Sequence, residues 1–277
     1  MSKVICDICP WYCELAEGEI GFCGVRVNTG GIVKNENYGY LVVASLDPIE
    51  KKPLKRFHPG SKILSIGANG CNLRCSFCQN FSFVMASKRE LDMMDTTPEE
   101  VVETALRYRE THDNIGIAFT YNEPITMYDF MFDTARLSKQ SGLLNIMVTN
   151  GYINEEPLKA LLPYMDGMNI DLKRFTEEGY QEIGGHLEDV KRTIELANAA
   201  CHVEVTALIV PGKNDDKKEI EEMAKWIASV NDEIPLHLTR FFPMYKLLDQ
   251  KPTDIDLLAE LKAISRKYLK YVYLGNV

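Results

Sequence analysis

From residue 62 onward the chain alternates short, almost wholly apolar runs with longer stretches whose apolar residues recur at helical spacing. Runs at 62–66, 115–119, 143–148, 168–172, 203–210 and 236–242 predict six buried strands. Thr97-Pro98-Glu99-Glu100 reads as a helix start, with Thr as cap, Pro at the first position and Glu three residues after the cap. Val101, Val102, Ala105 and Leu106 give that helix an apolar face. A second helix is expected from about Pro124, with Ile125, Tyr128, Phe132 and Ala135 at helical spacing and a stop near Gly142. Further helices are expected over 155–164, 187–199, 217–230 and 254–268, the last with Leu257, Leu261, Ile264 and Tyr268 on its stripe. This alternation predicts an α/β fold, a parallel sheet with helices outside it. The first sixty residues do not follow it. Residues 1–60 read as a small Cys- and Gly-rich metal-binding extension, ending as strands or loops packed on a core unit of residues 61–277.

Composition narrows the function classes. The 277 residues are 45% hydrophobic and 26% charged, as in an ordinary globular protein. With 40 acidic against 31 basic residues the net charge is −9, which argues against a nucleic-acid partner held by general electrostatics. The one basic run, residues 51–56, reads as a solvated surface segment, with an acidic partner as the alternative. No apolar stretch is long enough to span a bilayer, so no membrane association is expected. The opening residues contain no apolar signal region, which predicts a cytoplasmic protein. In that compartment clustered cysteines read as metal ligands or catalysts rather than disulfides.

Seven of the eight cysteines fall in two groups. Cys201 stands apart in a strand-like segment and reads as a small buried hydrophobe. Cys71, Cys75 and Cys78 follow the first predicted strand directly, in a loop with glycines before it and small or polar residues within it. Three soft thiolates within eight residues suit a cubane iron–sulfur cluster, each ligating one iron. A cluster used only for electron transfer normally has four thiolates. Three leave one iron open to bind and activate a small molecule. The alternatives are unligated core cysteines or a zinc site with a distant fourth ligand. Cys6, Cys9, Cys13 and Cys23 can saturate a metal by themselves. Tetrahedral zinc would make them a structural staple, whereas an auxiliary iron–sulfur cluster would make them an electron relay or substrate anchor. Their spacing leaves both open, with unligated thiols as the third reading.

Cys71-x3-Cys75-x2-Cys78, with Phe77 before the third cysteine, resembles the signature of the radical S-adenosyl-L-methionine (SAM) superfamily. The loop looks most like the branch containing the pyruvate formate-lyase activating enzymes. The wider sequence is closer still to the radical SAM member of the AmmeMemoRadiSam system. Supporting stretches include Cys6-x2-Cys9-Pro10, Gly21-Phe22-Cys23-Gly24-Val25-Arg26, Thr120-Tyr121-Asn122-Glu123-Pro124, Thr149-Asn150-Gly151-Tyr152 and Asp171-Leu172-Lys173. The resemblance implies a partial (β/α)6 TIM-like barrel with its active site at the C-terminal ends of the strands. It also implies a 4Fe-4S cluster, SAM as cosubstrate or cofactor, and ferredoxin or flavodoxin as electron donor.

Residue roles implied by the resemblance follow the strand ends. Activases carry a glycine-glycine-glutamate segment that meets the methionyl ammonium of SAM. This chain keeps Glu123 but has Tyr121 and Asn122 in place of the glycines. Asn122 and Glu123 are therefore candidate SAM contacts, with a helix-entry carboxylate as the alternative for Glu123. Thr149, Asn150, Asp171 and Lys173 match positions around the SAM carboxylate and ribose. Asp171 is also a candidate ligand for a monovalent cation, and Lys173 a candidate partner of the SAM carboxylate; the alternative is a structural Asp–Lys pair on the rim. Phe242 stands where close relatives often place histidine, and Arg240 is a candidate to face the site. His237 lies too early on its strand to be assumed a replacement, and the other histidines read as surface or packed residues. Longer relatives carry a further cysteine-containing tail, whose role is expected to be missing here. The expected function is hydrogen abstraction from a substrate by SAM cleavage, with a glycyl Cα–H of a partner protein as first choice. Radical modification of a small molecule or another side chain is the alternative, and a non-catalytic electron carrier the third reading.

Overall fold

In a computed structural model, the structure describes residues 3–277. Among these residues the core is one open sheet of eight strands. In chain order they are β1 (Val43–Pro48), β2 (Lys62–Gly67), β3 (Asn114–Phe119), β4 (Leu144–Thr149), β5 (Gly167–Asp171), β6 (His202–Ile209), β7 (Leu236–Arg240) and β8 (Val272–Gly275). They lie side by side in chain order from one edge to the other. All neighbours from β2 to β8 are parallel, and β1 pairs antiparallel with β2. β2 to β7 are the six strands expected from hydrophobic runs, with ends shifted by one or two residues. The sheet and its connecting helices form a partial TIM-like barrel, the expected architecture.

The periodicity did not disclose the two edge strands. Val43–Pro48 is a mixed sequence whose residues range from buried to exposed, because an edge strand is covered on one side only. It joins the last part of the first sixty residues to the sheet itself. Val272–Gly275 is short and mostly half-buried for the same reason.

The helices are α1 (Pro98–His112), α2 (Tyr128–Gln140), α3 (Glu155–Leu161), α4 (Glu177–Glu182), α5 (Leu187–Asn198), α6 (Lys217–Asn231) and α7 (Ile255–Ser265). α1 starts as expected: Thr97 accepts from the Glu100 N–H at 3.2 Å and the Glu100 carboxylate reaches back to the Thr97 N–H at 2.9 Å. The expected second helix is split, Pro124–Met127 being a tighter 3₁₀ turn before α2. In α7 the buried residues are Leu258, Leu261 and Ser265, while Leu257 and Ile264 flank them half-buried, so the true stripe is rotated from the expected one. Cys201 is half-buried rather than enclosed, at the threshold of β6.

The N-terminal mouth of the barrel is closed by the chain between β1 and β2. Ile49, Leu54 and Phe57 pack there with Ile63, Ala118 and Ile146 in a cluster of their own. The basic run 51–56 is therefore solvated only in part. Lys52 is buried with its Nζ 2.9 Å from Asp47, and Leu54 is fully enclosed, while Lys51, Lys55 and Arg56 face outward. Beneath this plug Glu204 is buried, accepting from the Lys55 and Arg56 N–H groups and meeting His202 and His237 at 3.0 and 2.6 Å. His237 thus belongs to the barrel floor, remote in role from any strand-end chemistry.

Candidate functional site

Cys71, Cys75 and Cys78 sit on the loop that leaves the C-terminal end of β2. Much of the loop is buried: Asn69, Asn72, Leu73, Cys75 and Phe77 are nearly enclosed, while Cys71 and Cys78 are half-buried and Arg74 is exposed. Asn122, just past β3, holds the loop's first turn. Its Oδ1 accepts from the Ala68 N–H at 3.0 Å, and its Nδ2 donates to the Asn69 carbonyl at 3.0 Å and to Thr126 Oγ1 at 3.1 Å. Every polar atom of this amide is engaged by the protein, so Asn122 positions the cysteine loop. Tyr121, where activases have glycine, keeps a left-handed backbone at φ 73°. Its hydroxyl donates to Asp47 and its ring lies under the Lys52 ammonium. These contacts hold a conformation that the side chain alone would avoid.

Glu123 caps the 3₁₀ turn, accepting from the Ile125 N–H at 3.3 Å. It also accepts from Thr149 Oγ1 at 2.6 Å and from the Asn150 N–H at 2.7 Å, both at the end of β4. Burial pushes its carboxyl up to about 7, against the pull of these donors and of Lys173. A carboxylate offers about four lone-pair sites, and three are filled here. Asn150 completes the link to the cysteines. Its Nδ2 donates to Asn72 Oδ1 at 2.9 Å and lies 3.7 Å from Cys71 Sγ.

At the end of β5 the Lys173 ammonium pairs with Asp171 at 2.9 Å. Burial alone would lower the Lys173 pKa, but Asp171 and the Cys75 and Cys71 thiols raise it, so it stays a cation beside the cysteine loop. Burial pushes the Cys75 thiol up to about 11, with Lys173 pulling the other way, and raises Cys71 and Cys78 as well. Soft sulfur ligands, a fixed cation and N–H donors aimed at sulfur (Leu73 N–H to Cys71 Sγ, 3.4 Å) are together the chemistry of a site for an anionic metal–sulfur group.

The structure therefore brings the three cysteines, Asn122, Glu123, Thr149, Asn150, Asp171 and Lys173 to one end of the barrel. Arg240, at the end of β7, is engaged elsewhere: its Nε donates to the Thr253 carbonyl at 2.8 Å and its guanidinium lies over the Phe242 ring. Residues that sequence reasoning missed are Asn72, which bridges Asn150 to the Tyr152 carbonyl, and Asn214, whose amide holds the Lys173 carbonyl at 2.9 Å. Tyr180 is a third, fully buried with its hydroxyl accepting from the Lys173 N–H. Lone Asn and Tyr positions in loops and short helices carry no spacing signal that would have found them.

Residues 65–227 match the radical SAM superfamily. The chain is 43% identical over its whole length to an uncharacterized protein of Methanocaldococcus jannaschii, MJ0808, of which it covers 82%. It is 29% identical to the pyruvate formate-lyase-activating enzyme of Clostridium pasteurianum, over 73% of this chain and 87% of that one. Among solved structures, Streptococcus suis SuiB bound to S-adenosylmethionine superimposes with a TM-score of 0.57 at 14% identity, over 77% of this chain and 51% of that one. With the family match spanning more than half the chain and including the three-cysteine loop, this protein belongs to the radical SAM superfamily.

Proposed function

We propose that the protein abstracts a hydrogen atom from a polypeptide, a glycyl Cα–H of a partner protein, and that a ferredoxin or flavodoxin supplies its electron. The observation that carries this reading is the likeness to the C. pasteurianum activating enzyme along 73% of the chain. The site's donor set fits the cofactors of the family: Cys71, Cys75 and Cys78 would hold three irons of a 4Fe-4S cluster and leave the fourth for SAM. When bound, such a cluster would supply the single electron for reductive cleavage of SAM, the chemistry on which hydrogen abstraction depends.

The protein's own residues orient and enclose. Glu123 offers its one unfilled lone pair to the SAM ammonium, with Thr149 and Asn150 fixing the direction in which it points. Lys173 offers its ammonium to the SAM carboxylate, and Asp171, held against Lys173, is the group that a monovalent cation would join. Phe77 within the cysteine loop and Tyr180, bonded to the Lys173 N–H, add buried aromatic bulk beside the site, where dryness would protect reactive species from side reactions.

The test has two stages. Anaerobically reconstituted protein, reduced with dithionite in the presence of SAM, is expected to form 5′-deoxyadenosine, and its Cys75→Ala variant none. With a candidate glycyl-radical-enzyme partner deuterated at glycine Cα, deuterium is expected in the deoxyadenosine. Protein that cleaves SAM but takes deuterium only from a small metabolite overturns the polypeptide reading. It would favour the small-molecule alternative, to which the 30% identity with the GTP 3′,8-cyclase of Aquifex aeolicus over 65% of this chain gives some support.

A further inference from the structure

The four N-terminal cysteines take no part in the site above. Cys6, Cys9, Cys13 and Cys23 line a single pocket that the barrel closes through Asn72 and the Pro124–Met127 turn. Among the described residues that line it, every metal-binding donor is sulfur; none is a carboxylate or an imidazole. Arg26 lines it too. Its side chain is buried, Nη1 pairs with Asp129 at 3.0 Å, and its Nε is buried with no hydrogen-bond partner. An unpaired buried guanidinium N–H is costly unless something accepts from it. A ring of four thiolates keeps a net negative charge even around a metal centre, and that charge is what Arg26 is placed to answer. The Phe22 N–H already points at Cys13 Sγ, at 3.4 Å.

This pocket adjoins the three-cysteine loop. The Cys71 N–H donates to the Cys23 carbonyl at 3.3 Å. Gly70, at φ 91°, lets the two loops touch: a Cβ there would lie 2.9 Å from Val25 Cγ1 and 3.0 Å from the Cys23 carbonyl. The Asn72 amide lies against the Cys9 thiol and is bonded to Asn150, which reaches Cys71.

The kind of metal follows from how the sulfurs are disposed. A Zn–S bond of about 2.3 Å draws four tetrahedral sulfurs to within about 3.8 Å of one another. A cubane gives each thiolate its own iron and spaces them more widely. Here the four thiols stand around the wall of one pocket with a cavity of about 20 Å³ among its lining, room that four sulfurs drawn onto a single zinc would not leave. We propose that Cys6, Cys9, Cys13 and Cys23 ligate a second 4Fe-4S cluster, in contact through protein with the first and offset in charge by Arg26.

The deciding preparation is a Cys71→Ala/Cys75→Ala/Cys78→Ala variant, reconstituted without oxygen and assayed for iron, acid-labile sulfide and zinc. About four iron and about four sulfide per chain are expected to remain, against about eight of each in the wild type, with the Mössbauer signature of a cubane. A variant that holds zinc and no sulfide, or no metal, overturns the proposal. If that variant does not fold, the wild type decides by itself: about eight iron supports the second cluster, and about four iron with one zinc rejects it. In the reduced wild type, paramagnetic resonance should show broadening from two interacting clusters, absent when the four N-terminal cysteines are changed to serine. Arg26→Gln is expected to move one of the two reductive transitions to lower potential and leave the other in place. If neither moves, the placement of Arg26 against a cluster is wrong.

Discussion

At the residue scale the most informative position is Asn122, because its side chain does a job that glycine could not. Its amide ties the Ala68 N–H and the Asn69 carbonyl of the cysteine loop to Thr126 of the next strand end. Removing it leaves buried backbone groups without partners, which costs about 1–3 kcal/mol for each one unsatisfied. Asn122→Ala is therefore expected to lower the melting temperature and to reduce iron bound at Cys71, Cys75 and Cys78, read by metal analysis after anaerobic reconstitution. Asn122→Asp should be no better, since a carboxylate would face the Asn69 and Gly70 carbonyls. Unchanged iron content in both variants would mean that the loop is held by its other contacts. Tyr121 shows the same economy: a left-handed residue tolerated because Asp47 and Lys52 grip its ring and hydroxyl.

At the element scale the floor of the barrel depends on one carboxylate. Glu204, on β6, joins the plug between β1 and β2 to His202 and to His237 on β7. Burial would raise its pKa, but hydrogen bonds from His202, His237 and the Arg56 N–H overcome that and lower it from 4.5 to about 2. A carboxylate depressed by folding stabilises the native state above its unfolded pKa and loses that contribution as pH falls through its folded value. The stability advantage of wild type over Glu204→Gln should thus be full above pH 4.5 and shrink progressively towards pH 2. At neutral pH the substitution removes the anionic acceptor that His202, His237 and two backbone N–H groups share, and each buried donor left unsatisfied costs about 1–3 kcal/mol. Chemical denaturation at several pH values checks both statements. An advantage independent of pH between 2 and 5 would remove Glu204 from the floor's electrostatics.

At the scale of the whole molecule, the first sixty residues hold the barrel at both ends of its strands. At the C-terminal end of the strands the N-terminal cysteines pack against the three-cysteine loop, with the Trp11 indole donating to the Asn72 carbonyl at 2.9 Å. At the opposite end β1 completes the sheet, and Ile49, Leu54 and Phe57 fill the mouth. Deleting residues 1–60 would strip β2 of its antiparallel neighbour, expose a hydrophobic strand edge and open the floor. The truncated chain is expected to aggregate or to lose cooperative unfolding, measured by light scattering and thermal melting. A soluble, cooperatively melting product would show that the barrel closes without them. The same reasoning explains why the basic run at 51–56 is only partly the solvated segment expected: Lys51, Lys55 and Arg56 are exposed, but Lys52 and Leu54 are buried.

The sequence by itself determined what could be decided within a few residues. Six strands were legible because each is a continuous apolar run between turn signals, and the start of α1 because a capping box is complete within four positions. The three-cysteine loop was legible because its ligands are neighbours in the chain, and its thiolate count already named the chemistry. What the tertiary structure decided are the pairings between distant segments. Arg26 meets Asp129 across 103 positions, Asn72 meets Tyr152 across 80, and Glu123 meets Asn150 across 27. No local pattern encodes such meetings, because they arise from the sheet setting successive strand ends side by side. That is why Asn122 turned out to be a clamp, Arg240 faces Thr253, and Glu204 lies buried beneath a plug of basic sequence. It is also why two cysteine groups separated by nearly fifty residues are hydrogen-bonded neighbours, through the Cys71 N–H and the Cys23 carbonyl.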